Sequence, residues 1–115
     1  QGEMNDQAAA DRDAAEAEMQ RLLTVLASRV RGNGPRSIKA RELLATSQSR
    51  WQAYAEAQVA LEWPNPGDMH YGSVHPMCVG LRWAGLIQAR VKELRAMIDI
   101  EEGDVCASEW PDDWD

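Results

Sequence analysis

The chain has 115 residues, enough for one domain with a hydrophobic core of its own. Hydrophobic residues make up 44% and charged residues 27%, a composition that excludes an intrinsically disordered chain. The net charge of −7 argues against a nucleic-acid-binding protein, which needs a basic face, and no apolar run approaches the roughly 20 residues of a membrane-spanning helix.

Three segments show the hydrophobic periodicity of amphipathic helices. Their predicted ranges, in chain order, are about 4–30, 37–62 and 74–98. Helix-breaking residues separate them at Gly32–Pro35 and in the Pro- and Gly-rich stretch Trp63–Gly72. No stretch alternates as a half-buried strand does. We therefore predict an all-α protein: an antiparallel bundle of three long helices in a single domain, residues 1–100, with a Pro-rich loop before the third helix.

On each predicted helix, the residues that recur about every 3.6 positions form a stripe along the face that points to the core. In the second and third helices this stripe contains polar as well as apolar side chains. On the second helix, Trp51 and Tyr54 are predicted to be core side chains rather than a platform for binding sugars. On the third helix, Arg90 lies near the middle of the stripe. A guanidinium keeps its proton when buried, so it needs a carboxylate or several carbonyl groups. Glu16, at the edge of the first stripe, is the predicted partner, and a ligand-binding arginine in a groove is the alternative.

The negative charge is confined to the end of the chain. Residues 1–100 contain 12 acidic and 12 basic residues, whereas residues 101–115 contain seven acidic residues and no Lys or Arg. Trp110 and Trp114 interrupt this acidic tail. Two interpretations stay open: a solvated end of the chain, or an anionic arm with two aromatic anchors for a basic partner.

The two cysteines, Cys78 and Cys106, are a possible disulfide pair. If the third helix reaches Ile98, that residue lies roughly 30 Å from Cys78. The eight steps from Ile98 to Cys106 span at most about 28 Å when fully extended. An intrachain disulfide therefore requires the tail to run straight back along the helix. Free thiols or an intermolecular disulfide are the alternatives.

No pattern of residues indicates catalysis or a bound cofactor. His70, His75 and Cys78, with Asp68 nearby, match no standard spacing of zinc ligands. The sequence also contains no glycine-rich phosphate loop and no nucleophile elbow. We therefore predict a protein that is not an enzyme and that needs neither a metal ion nor a cofactor.

Five short motifs follow one another along residues 1–98. They are Gln1-x-Glu3-Met4-Asn5-x-x-Ala8, Ala15-Glu16-Ala17-Glu18-Met19-Gln20, Gln48-x-x-Trp51-x-x-Tyr54, Gly72-Ser73 followed by Pro76-Met77, and the segment Leu86 to Arg95. In this order they resemble the motifs of the LprI-like lysozyme-inhibitor family of small secreted bacterial proteins. The resemblance implies that the following are family-motif residues: Met4, Asn5, Glu16, Gln48, Trp51, Tyr54, Arg90, Glu93 and Leu94.

The chain departs from the family pattern at its cysteines. The family pattern has cysteines at the positions of Gln7, Val59 and Arg82. Two of these positions, Val59 and Arg82, fall on the second and third helices, where the family's cysteines would be natural disulfide partners. Their joint absence fits the loss of one disulfide.

The resemblance implies an exported helical domain, periplasmic or secreted, that binds a protein partner, with a basic lysozyme as the candidate. Because the chain starts at Gln1 without Met or a signal peptide, we expect that a targeting segment has been removed. In this hypothesis the acidic tail attracts the enzyme. The loop Trp63–His75, with Met69, His70 and Tyr71 at its tip, fills the enzyme's cleft. The alternative is a structural or adaptor protein of the cell envelope with a different protein partner.

Overall fold

Three long α-helices account for most of the chain in the computed structural model, which describes residues 2–65 and 70–111. They are α1 (Gly2–Ser28), α2 (Pro35–Glu62) and α3 (His75–Ile98). The described residues contain no β-strand. The prediction of an all-α bundle is therefore confirmed, and the predicted helix ends lie within two residues of those observed.

Proline and glycine mark where α2 and α3 begin. Gly34 has extended backbone angles, and Pro35 takes the first helical position of α2, where its missing N–H is not needed. Before α3, Gly72 has a φ of 80°, a left-handed conformation that glycine adopts without a steric penalty. Pro76 then stands in the first turn of α3. The helix-breaking residues of the sequence thus act at the predicted places.

Helices α1 and α3 pack against each other along their length and run in the same direction. Gly80, near the start of α3, lies against Ala8, near the start of α1. Further along, the two helices supply every residue of the buried apolar cluster: Ala15, Met19, Leu22, Leu26, Ile87, Val91 and Leu94. Burial of this continuous apolar seam is the main favourable contribution to the fold.

Helix α2 packs more loosely on this pair. Its buried residues are the small Ser37, Ala40 and Ala55, and Leu44 and Trp51 are only partly buried against the apolar cluster. Four large apolar side chains of α2 remain exposed: Ile38, Leu43, Tyr54 and Leu61. Because its inward stripe is polar, α2 is held mainly by hydrogen bonds and by an ion pair.

The molecule is elongated, with extents of 53 × 25 × 24 Å. Because α2 runs antiparallel to α1 and α3, the two connections lie at opposite ends. We call the end that contains residues 29–34 the turn end, and the end that contains residues 63–65 and 70–74 the loop end. Every surface feature below belongs to one of these ends or to the side of the bundle between them.

The acidic tail folds back onto the turn end. The indole N–H of Trp110 donates a 2.9 Å hydrogen bond to the carbonyl oxygen of Leu26, and its ring packs against the apolar cluster. Pro111 is buried. Within the tail, residues 101–106 are exposed, as the first interpretation of the sequence expects, whereas Trp110 and Pro111 pack onto the turn end. Trp114, the second predicted anchor, lies outside the described residues.

Candidate partner-binding site

Arg90 is buried between α3 and α2, with 9% of its surface exposed. Its Nε donates a 3.0 Å hydrogen bond to Oε1 of Gln48, and its Nη2 donates one of 3.0 Å to Oγ of Ser47. The carboxylate of Glu93, one turn along α3, lies 3.4 Å from Nη1. Polar side chains of α2 thus accept hydrogen bonds from this charge. A buried guanidinium without acceptors would be strongly destabilising.

The predicted partner of Arg90 was wrong. Glu16 does not bond to Arg90 but accepts a 3.2 Å hydrogen bond from Gln20 on its own helix. The carboxylate beside Arg90 comes instead from Glu93, because residues three apart on a helix are neighbours on its surface.

Four of the family-motif residues of α2 and α3 line one shallow groove of about 490 Å³: Trp51, Tyr54, Arg90 and Glu93. The groove is lined by Arg50, Trp51, Tyr54, Leu86, Ala89, Arg90 and Glu93. Trp51 packs against the apolar cluster as predicted. Tyr54 does not, since 55% of its surface is exposed, and the prediction that it is a core residue was wrong. Leu94 is buried in the apolar cluster. These contacts fasten α2 to the other two helices.

A second, more polar cleft of about 760 Å³ opens between α1 and α3 in the half of the bundle nearer the loop end. We call it the polar cleft. Its lining residues are Asn5, Ala9, Arg12, Asp13, Glu16, Gln52, His75, Pro76, Val79, Gly80, Trp83 and Ile87. Oδ1 of Asn5 and Nδ1 of His75 are buried there without a hydrogen-bond partner. Two family-motif residues, Asn5 and Glu16, thus lie in this cleft, whereas Met4 beside them is exposed.

Arg12 covers the indole of Trp83 in the polar cleft. Its guanidinium carbon lies 4.7 Å from the centre of the ring, which is a cation–π distance. Within residues 2–65 and 70–111, Arg12 forms no hydrogen bond and no ion pair. The stack is therefore its only specific contact there. The sequence carried one signal of this arrangement, since Arg12 falls on the apolar stripe of the first helix.

An aromatic cluster occupies the loop end. Tyr71 stacks on His75, with ring centres 4.7 Å apart, and His70 meets Tyr71 edge-on at 4.7 Å. Trp63 meets His75 edge-on at 5.7 Å. The hydroxyl oxygen of Tyr71 accepts a 2.8 Å hydrogen bond from the backbone N–H of Asn65. Because His75 also lines the polar cleft, the cluster and the cleft form one continuous surface.

Met69, the remaining residue of the predicted loop tip, lies outside the described residues. His70 is exposed and Tyr71 is partly exposed, so both are accessible to a partner. The structure therefore brings two of the three predicted tip residues to the surface of the loop end.

The charge of the helices is divided between the two ends. Residues 2–18 contain six acidic residues and one Arg, whereas residues 19–41 contain six Lys or Arg and no acidic residue. The acidic half of α1 therefore lies toward the loop end, and the basic segment lies toward the turn end. Glu109 of the tail lies beside Arg36 and Lys39, with which it lines a groove. The tail thus brings negative charge to the basic end of the protein itself.

The predicted loop tip and the predicted aromatic anchor of the tail lie at opposite ends of the bundle. The loop with His70 and Tyr71 precedes α3, and the tail with Trp110 follows it. Helix α3 has 24 residues, which span roughly 36 Å. The loop tip and Trp110 therefore cannot contact the same small cleft of a partner.

Two ion-pair groups connect the helices. The carboxylate of Glu18 on α1 accepts hydrogen bonds from Arg21 at 2.6 Å and from Arg95 of α3 at 2.7 Å, and these lower the pKa of Glu18 to about 2. Glu62 of α2 bonds to Arg82 of α3 at 2.9 Å. Arg82 occupies a position where the family pattern has a cysteine, so this ion pair links α2 and α3 where the resemblance would place a disulfide.

The two cysteines are free thiols, one partly buried in α3 and one exposed in the tail. The possible disulfide between Cys78 and Cys106 is therefore not formed.

In the described ranges no group of three or more His, Cys, Asp or Glu side chains is arranged to hold a metal ion, and Asp68 lies outside those ranges. Over the same ranges, none of the helices combines the length and apolar character that crossing a bilayer requires.

The chain matches the model of a known protein family. A family model described as lysozyme inhibitor LprI matches residues 1–94. The matched range includes the polar cleft, the aromatic cluster and the bonds of Arg90, and it ends before the acidic tail. No curated protein and no solved structure matches the chain.

Proposed function

The chain belongs to the lysozyme inhibitor LprI family, and from this premise we propose that it binds and inhibits a lysozyme and is not itself an enzyme. We further propose that it acts outside the cytoplasm, as a periplasmic or secreted protein, because that is where a lysozyme meets bacteria. The observation that carries the proposal is the position of three features at one end: the acidic half of α1, the polar cleft and the aromatic cluster.

The charge of the loop end suits a basic enzyme. Lysozymes of the common type are basic, and an acidic surface accelerates the association of such a partner through long-range attraction. Glu3, Asp6 and Asp13 are exposed on the acidic half of α1. They supply this attraction beside the surface that makes contact, which the tail at the turn end cannot do.

The aromatic cluster supplies a contact element next to these charges. Aromatic side chains that are held rigidly lose little conformational entropy on binding and bury a large area, which is why they dominate many interfaces. Tyr71 is held by its stack on His75 and by the N–H of Asn65. His70 and Tyr71 are therefore proposed to enter the substrate cleft of the lysozyme.

A charge-neutralisation experiment at the two ends tests this proposal. The double variant Glu3→Gln/Asp6→Asn removes two exposed charges at the loop end, and Glu101→Gln/Glu102→Gln removes two from the tail. In a lysozyme assay at low salt, the loop-end variant is expected to need several-fold more protein for half-inhibition, and to associate more slowly. The tail variant should behave as the unmodified chain does.

Two results would reject the proposal. Absence of inhibition by the unmodified protein at high micromolar concentration would remove lysozyme as the target. Equal loss of inhibition in both double variants would show that net charge matters and that the loop end does not.

The exposed apolar side chains of α2 favour a second candidate function, an envelope adaptor with a different protein partner. Among them, Leu43 lies toward the turn end, where it lines a groove beside Trp110, away from the loop-end surface. The variant Leu43→Ser should leave lysozyme inhibition unchanged. If it also abolishes binding of an envelope protein that the unmodified chain retains, the adaptor function is supported.

A further inference from the structure

The polar cleft contains several hydrogen-bond acceptors that no donor within the described part of the chain fills. Oδ1 of Asn5 is buried without a partner, and the carboxylate of Asp13 accepts no hydrogen bond within the described part of the chain. Gln52 donates its amide N–H to Glu56 at 2.9 Å, which leaves its carbonyl oxygen available. Glu16 adds a second carboxylate. The buried Asn5 oxygen is unfavourable without a donor, and the two carboxylates carry negative charge. The cleft therefore suits a ligand group that is cationic and rich in donors.

The floor of the cleft selects among such groups. Trp83 presents an indole face, and a guanidinium stacks on an indole more effectively than an ammonium does, because the guanidinium is planar and weakly hydrated. A guanidinium also carries five N–H donors and no acceptor. An arginine side chain therefore matches both the acceptors and the aromatic floor of the cleft.

The protein already shows that this indole face accepts a guanidinium. The guanidinium of Arg12 lies over Trp83 at 4.7 Å and is exposed to solvent. Since Arg12 has no ion pair or hydrogen bond within the described ranges, its displacement would break the stack without breaking either kind of bond there. Arg12 therefore marks the place of the ligand and can leave it.

We infer that the polar cleft is a receptor for an arginine side chain of the basic partner, with Trp83 as the stacking surface and Asp13, Glu16 and Asn5 as acceptors. Arg12 occupies the site in the free protein and swings away on binding. The volume of about 760 Å³ lies in the range of pockets that hold small ligands, roughly 300–1,000 Å³. The identity of the partner rests on the proposed function, whereas the chemistry of the ligand does not.

A small-molecule titration tests the site without lysozyme. N-acetyl-arginine amide is added to the full ¹⁵N-labelled chain, and the indole N–H resonance of Trp83 is followed by NMR, after assignment with Trp83→Phe. We expect a saturable shift that N-acetyl-lysine amide and the neutral citrulline analogue reproduce at least fivefold more weakly. Equal responses to the arginine and citrulline probes, or no saturable response, would overturn the inference.

Charge variants connect the response to the cleft. The double variant Asp13→Asn/Glu16→Gln should bind the arginine probe at least fivefold more weakly. Asp11→Asn removes a charge from the same helix outside the cleft and should bind as the unmodified chain does. Arg12→Ala should bind the probe several-fold more tightly, because the competing guanidinium is gone. Weaker binding by Arg12→Ala would contradict its role as a displaceable occupant.

A second arm separates this inference from the proposed function. Lysozyme is modified with a dicarbonyl reagent at its arginines or acetylated at its lysines, and its binding to the full chain is measured. Loss of binding on arginine modification alone supports the receptor. Equal binding of arginine-modified and untreated lysozyme overturns the receptor while lysozyme binding stands. If the arginine probe binds the cleft but untreated lysozyme does not, the proposed function fails and the receptor stands.

Discussion

At the scale of a single residue, hydrophobic periodicity predicts the burial of Arg90 but not its hydrogen-bond partners. Its place on the apolar stripe of the third helix predicts burial, and the structure confirms it. Its partners could not be derived in the same way, because they depend on how α2 is rotated against α3. Ser47 and Gln48 supply neutral acceptors, and only Glu93 supplies a carboxylate.

Replacing Arg90 with alanine should destabilise the fold. Ser47 and Gln48 would lose their buried donor, and the expected loss is about 2–4 kcal/mol in the free energy of unfolding. Urea denaturation followed by far-ultraviolet circular dichroism measures it. Arg50→Ala, on the exposed side of the same groove, is the matched control and should change stability by less than about 0.5 kcal/mol. Equal midpoints for the two variants would show that the bonds of Arg90 contribute nothing.

The carboxylate of Glu18 should make stability depend on pH in acid. Hydrogen bonds from Arg21 and Arg95 lower its pKa from 4.5 to about 2. A lowered pKa means that the stabilisation is complete above about pH 4.5 and is lost as the pH falls toward about 2. The difference in urea midpoint between the unmodified chain and Glu18→Gln should therefore shrink over that window. High salt should reduce it at pH 7, because the pair is exposed. A difference that stays constant down to pH 2 would exclude this assignment.

At the scale of the element, the close approach of α1 and α3 depends on a glycine. A Cβ built on Gly80 would lie 3.3 Å from the Cβ of Ala8, whereas one built on Gly85 would meet nothing within 4 Å. Both glycines are inside α3, where alanine is intrinsically preferred. A substitution at Gly85 therefore tests helix propensity alone, whereas one at Gly80 also tests the packing of α1 against α3.

Gly85→Ala is expected to stabilise the protein by about 0.5–1 kcal/mol, which is the difference in helix propensity. Gly80→Ala should instead destabilise it by about 1 kcal/mol, because neither the methyl group nor the backbone of Ala8 can rotate away. Thermal denaturation of the two variants side by side measures the difference. Equal stabilisation by both would mean that α1 and α3 separate at little cost.

The burial of helix α2 agrees only in part with the prediction from its sequence. Its polar stripe predicts that amides and hydroxyl groups are satisfied inside the protein. The partly buried Gln48 does bond to Arg90, whereas Ser47 bonds to Arg90 from an exposed position. The same reasoning placed Tyr54 in the core, but it is exposed. The hydrophobic period of a sequence shows which residues share a helix face. How many of them are buried depends on how closely the neighbouring helices approach. Because α2 packs loosely, Tyr54 at the edge of that face stays exposed.

At the scale of the whole molecule, the acidic tail is anchored to the helices by Trp110 and Pro111, whereas residues 101–106 are exposed. Its tryptophan closes the turn end of the apolar cluster, and its charge lies beside the basic segment that joins α1 to α2. The acidic half of α1 remains available to a partner at the other end.

Trp110→Ala should therefore weaken the fold and leave lysozyme inhibition intact. Loss of the bond to Leu26 and of the partly buried ring should cost about 2 kcal/mol in the free energy of unfolding. Differential scanning fluorimetry measures the stability, and the lysozyme assay is run at a temperature at which the variant is folded. A chain that ends at Gly103 should behave in the same way. Weakened inhibition by the folded variant would assign the tail a direct role in binding.

The sequence by itself determined the three helices, their approximate ends and the burial of Arg90, because these follow from local periodicity and from the backbone limits of Gly and Pro. The tertiary structure decided the acceptors of Arg90, the inward position of Trp110 and the polar cleft. Each depends on the rotation and separation of helices that lie far apart in the chain. No local pattern encodes those quantities, since they result from packing all the side chains at once.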